Sequence, residues 1–195
     1  MWMFTAAAAV LLVGMTGCAQ KGSNTTTSEK NAPEETISAR EGRDRVVELV
    51  FNTAEQLDVT GWWPRNGSAG AQECTPESSH GLGDATASYS YDRWAPQGTD
   101  HVEDAQRVAD YWESLGMTVR TINPTKDPVV FGEGGPVLRA EFDTDAPEQS
   151  YSIGATAPCS PGDAWTLNEE DSAERDQGKV LPGDEGLVLQ EEPPQ

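Results

Sequence analysis

The chain has 195 residues, with 33 acids against 13 bases and a formal net charge of −20. That balance excludes nucleic acid as a partner, because its binders displace counterions with clustered Lys and Arg, and it excludes electrostatic docking onto anionic lipid. It suits solubility and mutual repulsion on a crowded surface, and it would also draw cations or a basic partner.

Met1 to Gly17 is uncharged and mostly apolar, centred on Ala6-Ala7-Ala8-Ala9-Val10-Leu11-Leu12-Val13. A membrane-crossing helix needs about 20 apolar residues, whereas this run has the length of a signal peptide's apolar region. Met15-Thr16-Gly17 then lead into Cys18. Small residues before a cysteine, after a short apolar stretch, resemble the lipobox of bacterial lipoproteins. The resemblance implies that residues 1–17 are a removable signal peptide and that Cys18 carries the acyl chains (palmitate in such proteins). Each buried CH₂ adds about 0.8 kcal/mol, and two or three chains anchor stably. The protein is then expected on the cell membrane, facing outside the cytoplasm. Two details depart from the pattern: Met1-Trp2-Met3-Phe4 has no Lys or Arg, and Met15 stands where Leu is usual. Residues 18–37 are rich in Ser, Thr and Asn and offer no apolar face, which predicts a flexible tether.

Ser38-Ala39-Arg40-Glu41 has the form of a helix capping box. Val46, Val50, Ala54 and Leu57 recur at helical spacing behind it, with Val47, Leu49 and Phe51 widening the stripe. A helix from Ser38 to Leu57 that packs on a core is expected. Gly61 to Pro64 breaks it and delivers Trp62 and Trp63. Ala69 to Thr75 reads as extended, Pro76 to Gly83 as a loop, and Ala85 to Trp94 as a strand with one wet face. Ala87, Tyr89 and Tyr91 lie on its dry side, and Ser88, Ser90 and Asp92 on the other.

Asp100 caps a second helix, with Glu103 placed to reach back. Val102, Ala105, Val108, Ala109, Trp112 and Leu115 form its buried stripe, Asp104, Gln106, Arg107, Asp110 and Glu113 its wet side, and Gly116 its left-handed stop. Met117 to Ile122 is a strand. Pro128 to Phe131 and Val137 to Phe142 flank a Gly-rich turn, with Leu138, Ala140 and Phe142 on one side and Arg139 and Glu141 on the other. Gln149 to Ala157 alternates through Tyr151, Ile153 and Ala155. The fold class is α+β: a two-layer sandwich, two helices on one face of a mainly antiparallel sheet, in the order α-β-β-α-β-β-β. The globular domain spans 38–165. Residues 166–195 read as an acidic, disordered tail, since Asp163 to Gln195 holds ten acids and two bases.

With Cys18 acylated, Cys74 and Cys159 are an even pair in an oxidising compartment, and a disulfide is expected between them. Two cysteines without CxxC spacing make a weak metal site. His101-Val102-Glu103 and Pro158-Cys159 echo the zinc deaminase signature, but Gly162 stands where its second cysteine belongs. No HExxH, GxSxG or phosphate-binding loop is present, and no cofactor or metal is expected. His80 beside Ser78 and Ser79 is a conceivable base and nucleophile, yet such neighbours are common in loops. Paired carboxylates for glycoside hydrolysis cannot be picked out among so many acids. The tryptophans at element ends are better candidates: Trp62, Trp63, Trp94 and Trp165 place rings where sugar or peptide can stack, although core packing accounts for most such residues.

A tether, a Ser-capped helix, a two-cysteine α+β core and a helix running Tyr111-Trp112-Glu113-Ser114-Leu115-Gly116 into a strand resemble small uncharacterised lipoproteins of actinobacteria. That group implies no activity, and only Cys18 takes a role from the resemblance. The expected function is a non-catalytic binding or interaction domain for an envelope protein, peptide or glycan. The alternatives are a cell-envelope hydrolase using paired carboxylates, which requires a deep cleft, and a purely structural envelope component.

Overall fold

The structure, a computed structural model, describes residues 36–64, 69–83, 85–146 and 150–177. The expected leader, Cys18, nearly all of the tether and the chain beyond 177 lie outside the described residues.

Ser38 caps helix α1 (Ala39–Ala54), and the reciprocal bonds between Ser38 and Glu41 complete the capping box. Two short strands follow, β1 (Trp63–Pro64) and β2 (Gly70–Glu73), then a single-turn helix α2 (Pro76–Ser79) capped by Thr75. Strand β3 (Thr86–Pro96) is the longest, and Asp100 caps helix α3 (His101–Ser114). Gly116, at φ +80°, takes the left-handed turn that ends α3. Strands β4 (Thr118–Ile122), β5 (Val129–Glu133), β6 (Arg139–Asp143), β7 (Ser150–Thr156) and β8 (Ser160–Pro161) complete the sheet, and helix α4 spans Ala164–Asp176.

All pairings are antiparallel, and the main order is β1-β3-β7-β6-β5-β4, with β2 and β8 also on β3. The α+β reading and its element order hold. Short connections produce the run β4-β5-β6-β7, because hairpin-joined strands pair with their sequence neighbours, whereas β3, followed by α3, pairs with the distant β7 and β8. Helix α1 packs on β3 and β7, and α3 on β4 and β5. Between helices and sheet lie Val46, Val50, Val108, Trp112, Tyr89, Tyr91, Phe142, Tyr151 and Ile153, all at 1% exposure or less. Trp112 donates to Thr53 Oγ1 at 2.9 Å, joining α3 to α1. Gly132 faces this ring: a Cβ there would meet Trp112 Cε3 at 2.9 Å and Met117 Cε at 2.8 Å, so only glycine fits beneath it.

Three expectations are corrected. The domain does not stop at Trp165, because α4 packs on β2 and buries Ala164 and Leu167. Its buried face continues through Asn168 and Asp171 at the i, i+3, i+4, i+7 positions, where polar side chains hide the apolar period. Asp104 was expected in water but is 4% exposed and accepts from the Tyr151 hydroxyl at 2.6 Å. Val102 and Leu115, expected in the core, are more than a third exposed, and so is Leu138, beside a buried Val137.

Cys74 and Cys159 form a disulfide, 85 positions apart, with Cα atoms 6.1 Å apart. It joins the segment leaving β2 to the segment entering β8, the two short strands that pair with the start of β3.

Candidate binding trough on the open face of the sheet

With the helices on one face, every second residue of the central strands points the other way. The register then writes three rows across β3, β7, β6, β5 and β4. The middle row is Asp92, Gly154, Glu141, Phe131 and Arg120. One flanking row is Ser90, Thr156, Arg139, Glu133 and Thr118; the other is Trp94, Ser152, Asp143, Val129 and Ile122. Over the middle of these rows lies an open trough of about 570 Å³. That volume falls within the range of about 300–1,000 Å³ typical of small-ligand sites.

Gly154 is the floor of the trough. Its neighbours in register are Asp92 on one side and Glu141 on the other. At about 4.8 Å per strand these two carboxylate-bearing positions stand about 10 Å apart, and Gly154 itself places no side chain between them. Trp94 Nε1 donates to Asp92 Oδ2 at 3.0 Å, which fixes ring and carboxylate together at the β3 wall. At the far wall the Arg120 guanidinium lies 4.6 Å from the centre of the Phe131 ring, a cation–π contact that flattens it against the sheet. The hydroxyls of Ser90 and Thr156 are 3.2 Å apart. Partial burial pushes the Glu141 carboxyl above the usual range, and Asp143 adds to this, while Arg139 opposes it.

The sequence candidates part company here. Trp94 lines the trough, and Trp63 is its half-buried partner on β1. Trp62 is buried and serves the core: Arg93 donates to its carbonyl at 3.0 Å and lies over the Phe51 ring. Trp165 is 70% exposed on α4 and joins no other candidate. Cys74 and Cys159 are consumed by their bridge. Neither serine near His80 is poised as a nucleophile, since Ser78 Oγ donates to the Thr75 carbonyl and Ser79 Oγ to that of Pro76. The His101 ring meets the Lys126 carbonyl through Nε2. Among the described residues no group of three or more His, Cys, Asp or Glu side chains is arranged to hold a metal. No described helix is long and apolar enough to cross a membrane.

Arg120, Phe131 and Gly154 were missed as site residues. Alternation within each strand shows that they share a wet face, but only the register sets them in one row.

No protein-family model matches the chain, and no curated protein matches it. Among solved structures, a DUF4853 family protein from Actinomyces odontolyticus is similar to it at 16% identity and a TM-score of 0.44, over 65% of this chain and 71% of that one.

Proposed function

We propose that this chain is a lipid-anchored extracytoplasmic protein whose folded domain binds an envelope protein, peptide or glycan in the sheet trough without catalysis. The observation that carries the binding role is the bare floor at Gly154 between polar walls, with Trp94 on one and Arg120 laid on Phe131 at the other. Such a face is a surface for contact rather than a closed reaction chamber. The anchor rests on the residues around Cys18, and the Cys74–Cys159 bridge supports it, because structural disulfides persist in oxidising compartments.

The test takes the full chain from its native host and has two arms. Mass spectrometry of the amino-terminal fragment is expected to find acylated Cys18 and no leader; an intact leader with a bare thiol refutes the anchor. Envelope extract passed over the purified chain is expected to leave retained material on the wild type and none on Gly154→Val. Equal retention by the two, or none by either, refutes the trough as the binding surface.

A second reading, hydrolysis by paired carboxylates, is favoured by one observation: Asp92 and Glu141 face each other across Gly154, and Glu141 sits where a proton is held more firmly than usual. It requires polysaccharide turnover that Glu141→Gln abolishes.

A further inference from the structure

We infer that the ligand of this trough is a neutral, polyhydroxylated chain, an oligosaccharide longer than one ring; this rests on the binding role proposed above. In a chain of 33 acids and 13 bases, the trough is lined, among the described residues, by three acids, Asp92, Glu133 and Glu141, and two bases, Arg120 and Arg139. Arg139 stands directly opposite Glu133 in the register, and Arg120 is spread over Phe131. Three acids against two bases leave these residues within one charge of balance, a weak net field for selecting an ion. They still present donors and acceptors at fixed positions, since carboxylates accept and guanidinium groups donate. Ser90, Ser152 and Thr156 add hydroxyls that do both. Sugar hydroxyls, which also donate and accept, match that mixture.

Strands β7, β6 and β5 are interior, paired on both sides, so the trough floor has no free ladder of N–H and C=O groups. A peptide bound by strand addition needs such an edge. Here recognition falls to side chains. A purely apolar ligand is also a poor match, because among the described lining residues Trp94 and Phe131 are the large apolar side chains on the open face, Tyr91 being buried in the core. Trp94 and Phe131 stand on strands three places apart, about 14 Å on strand spacing. A ligand that stacks on the Trp94 ring and reaches the Arg120 guanidinium is therefore a chain of rings.

The test is calorimetric titration of the full chain with cello-, malto-, chito- and mannotetraose, and with tetralysine and tetraglutamate as charged probes. At least one neutral tetrasaccharide is expected to bind saturably. Its affinity should change little between about 0.05 M and about 0.5 M salt, where an ionic ligand would weaken markedly. Trp94→Ala is expected to weaken binding by about two- to tenfold, the range of a single aromatic stacking contact. Gly154→Val, a β-compatible side chain on the open floor, should abolish it, while Trp165→Ala should leave it unchanged. Binding of a charged peptide that Gly154→Val abolishes, with no tetrasaccharide bound, overturns the sugar assignment and leaves the binding role standing. Tetrasaccharide binding indifferent to both trough variants overturns it too. No binding by any probe, together with equal envelope retention by wild type and Gly154→Val, overturns both.

Discussion

Tyr151 and Asp104 illustrate how buried polar groups are settled residue by residue. The hydroxyl donates to the carboxylate, and Arg107 Nη2 approaches the other oxygen of Asp104 at 3.2 Å. Tyr89 makes the same kind of bond to Asp171 at 2.7 Å, and Arg43 meets that carboxylate from α1 and also reaches Glu174. Burial raises both phenols far above their usual range, and the neighbouring carboxylates add to the shift. Burial alone would lower Arg43, but Asp171 and Glu174 hold it above its ordinary value. For the phenols the sign is clear. Near pH 10 the unfolded chain releases its phenol protons while the fold retains them. Stability is therefore full below about pH 10 and falls as pH rises beyond it, by up to about 1.4 kcal/mol per unit for each such tyrosine. Urea unfolding followed from pH 7 to 11 is expected to show a flat region and then this decline. A decline that Tyr151→Phe does not make shallower would refute the assignment.

At the scale of elements, α4 shows what a polar residue can do in a packing face. Asn168 accepts from the Ala71 N–H at 2.8 Å and donates to the Ala71 carbonyl at 2.9 Å. Its side-chain amide thus pairs with β2 as a neighbouring strand would, covering part of an exposed edge. Asn168→Ala is expected to cost about 1–3 kcal/mol, since it leaves two half-buried backbone groups without partners. Hydrogen exchange at Ala71 should rise with it; unchanged protection would mean that α4 docks by its apolar residues alone. The sequence signal for α4 was misleading for the same reason. Acids at Glu169, Glu170, Asp171 and Glu174 suggest a solvated tail, yet Asp171 is 1% exposed against Arg43. By contrast α1 and α3 were legible, because Ser38 and Asp100 announce their starts and Val46, Val50, Val108 and Trp112 keep the helical period.

Across the whole molecule, the sheet depends on β3 to hold four partners, β1 and β2, β7 and β8. Three of these partners, β1, β2 and β8, are short, and the disulfide ties the ends of β2 and β8 together. Its loop of 85 positions is long, so cross-linking removes much of the unfolded chain's freedom. Replacing both Cys74 and Cys159 by Ser is expected to cost about 2–5 kcal/mol, read as a lower urea midpoint. An unchanged midpoint would show that β2, β8 and α4 are held by packing without the bridge.

Strand alternation and helix caps are local properties, and the sequence alone determined them: the α+β class, the element order, the two main helices and the pairing of the two later cysteines. Alternation also assigned Ser90, Asp92, Arg139 and Glu141 to wet faces. Cross-strand register, which depends on distant residues meeting, was decided only in three dimensions. It put Asp92, Gly154, Glu141, Phe131 and Arg120 in one row, while packing left Trp62 in the core and Trp165 exposed on α4. Burial of Arg43, Arg93, Asp104 and Asp171 was likewise a tertiary outcome. A charge enters a core only when a partner from another element meets it there, and no window of neighbouring residues contains that partner.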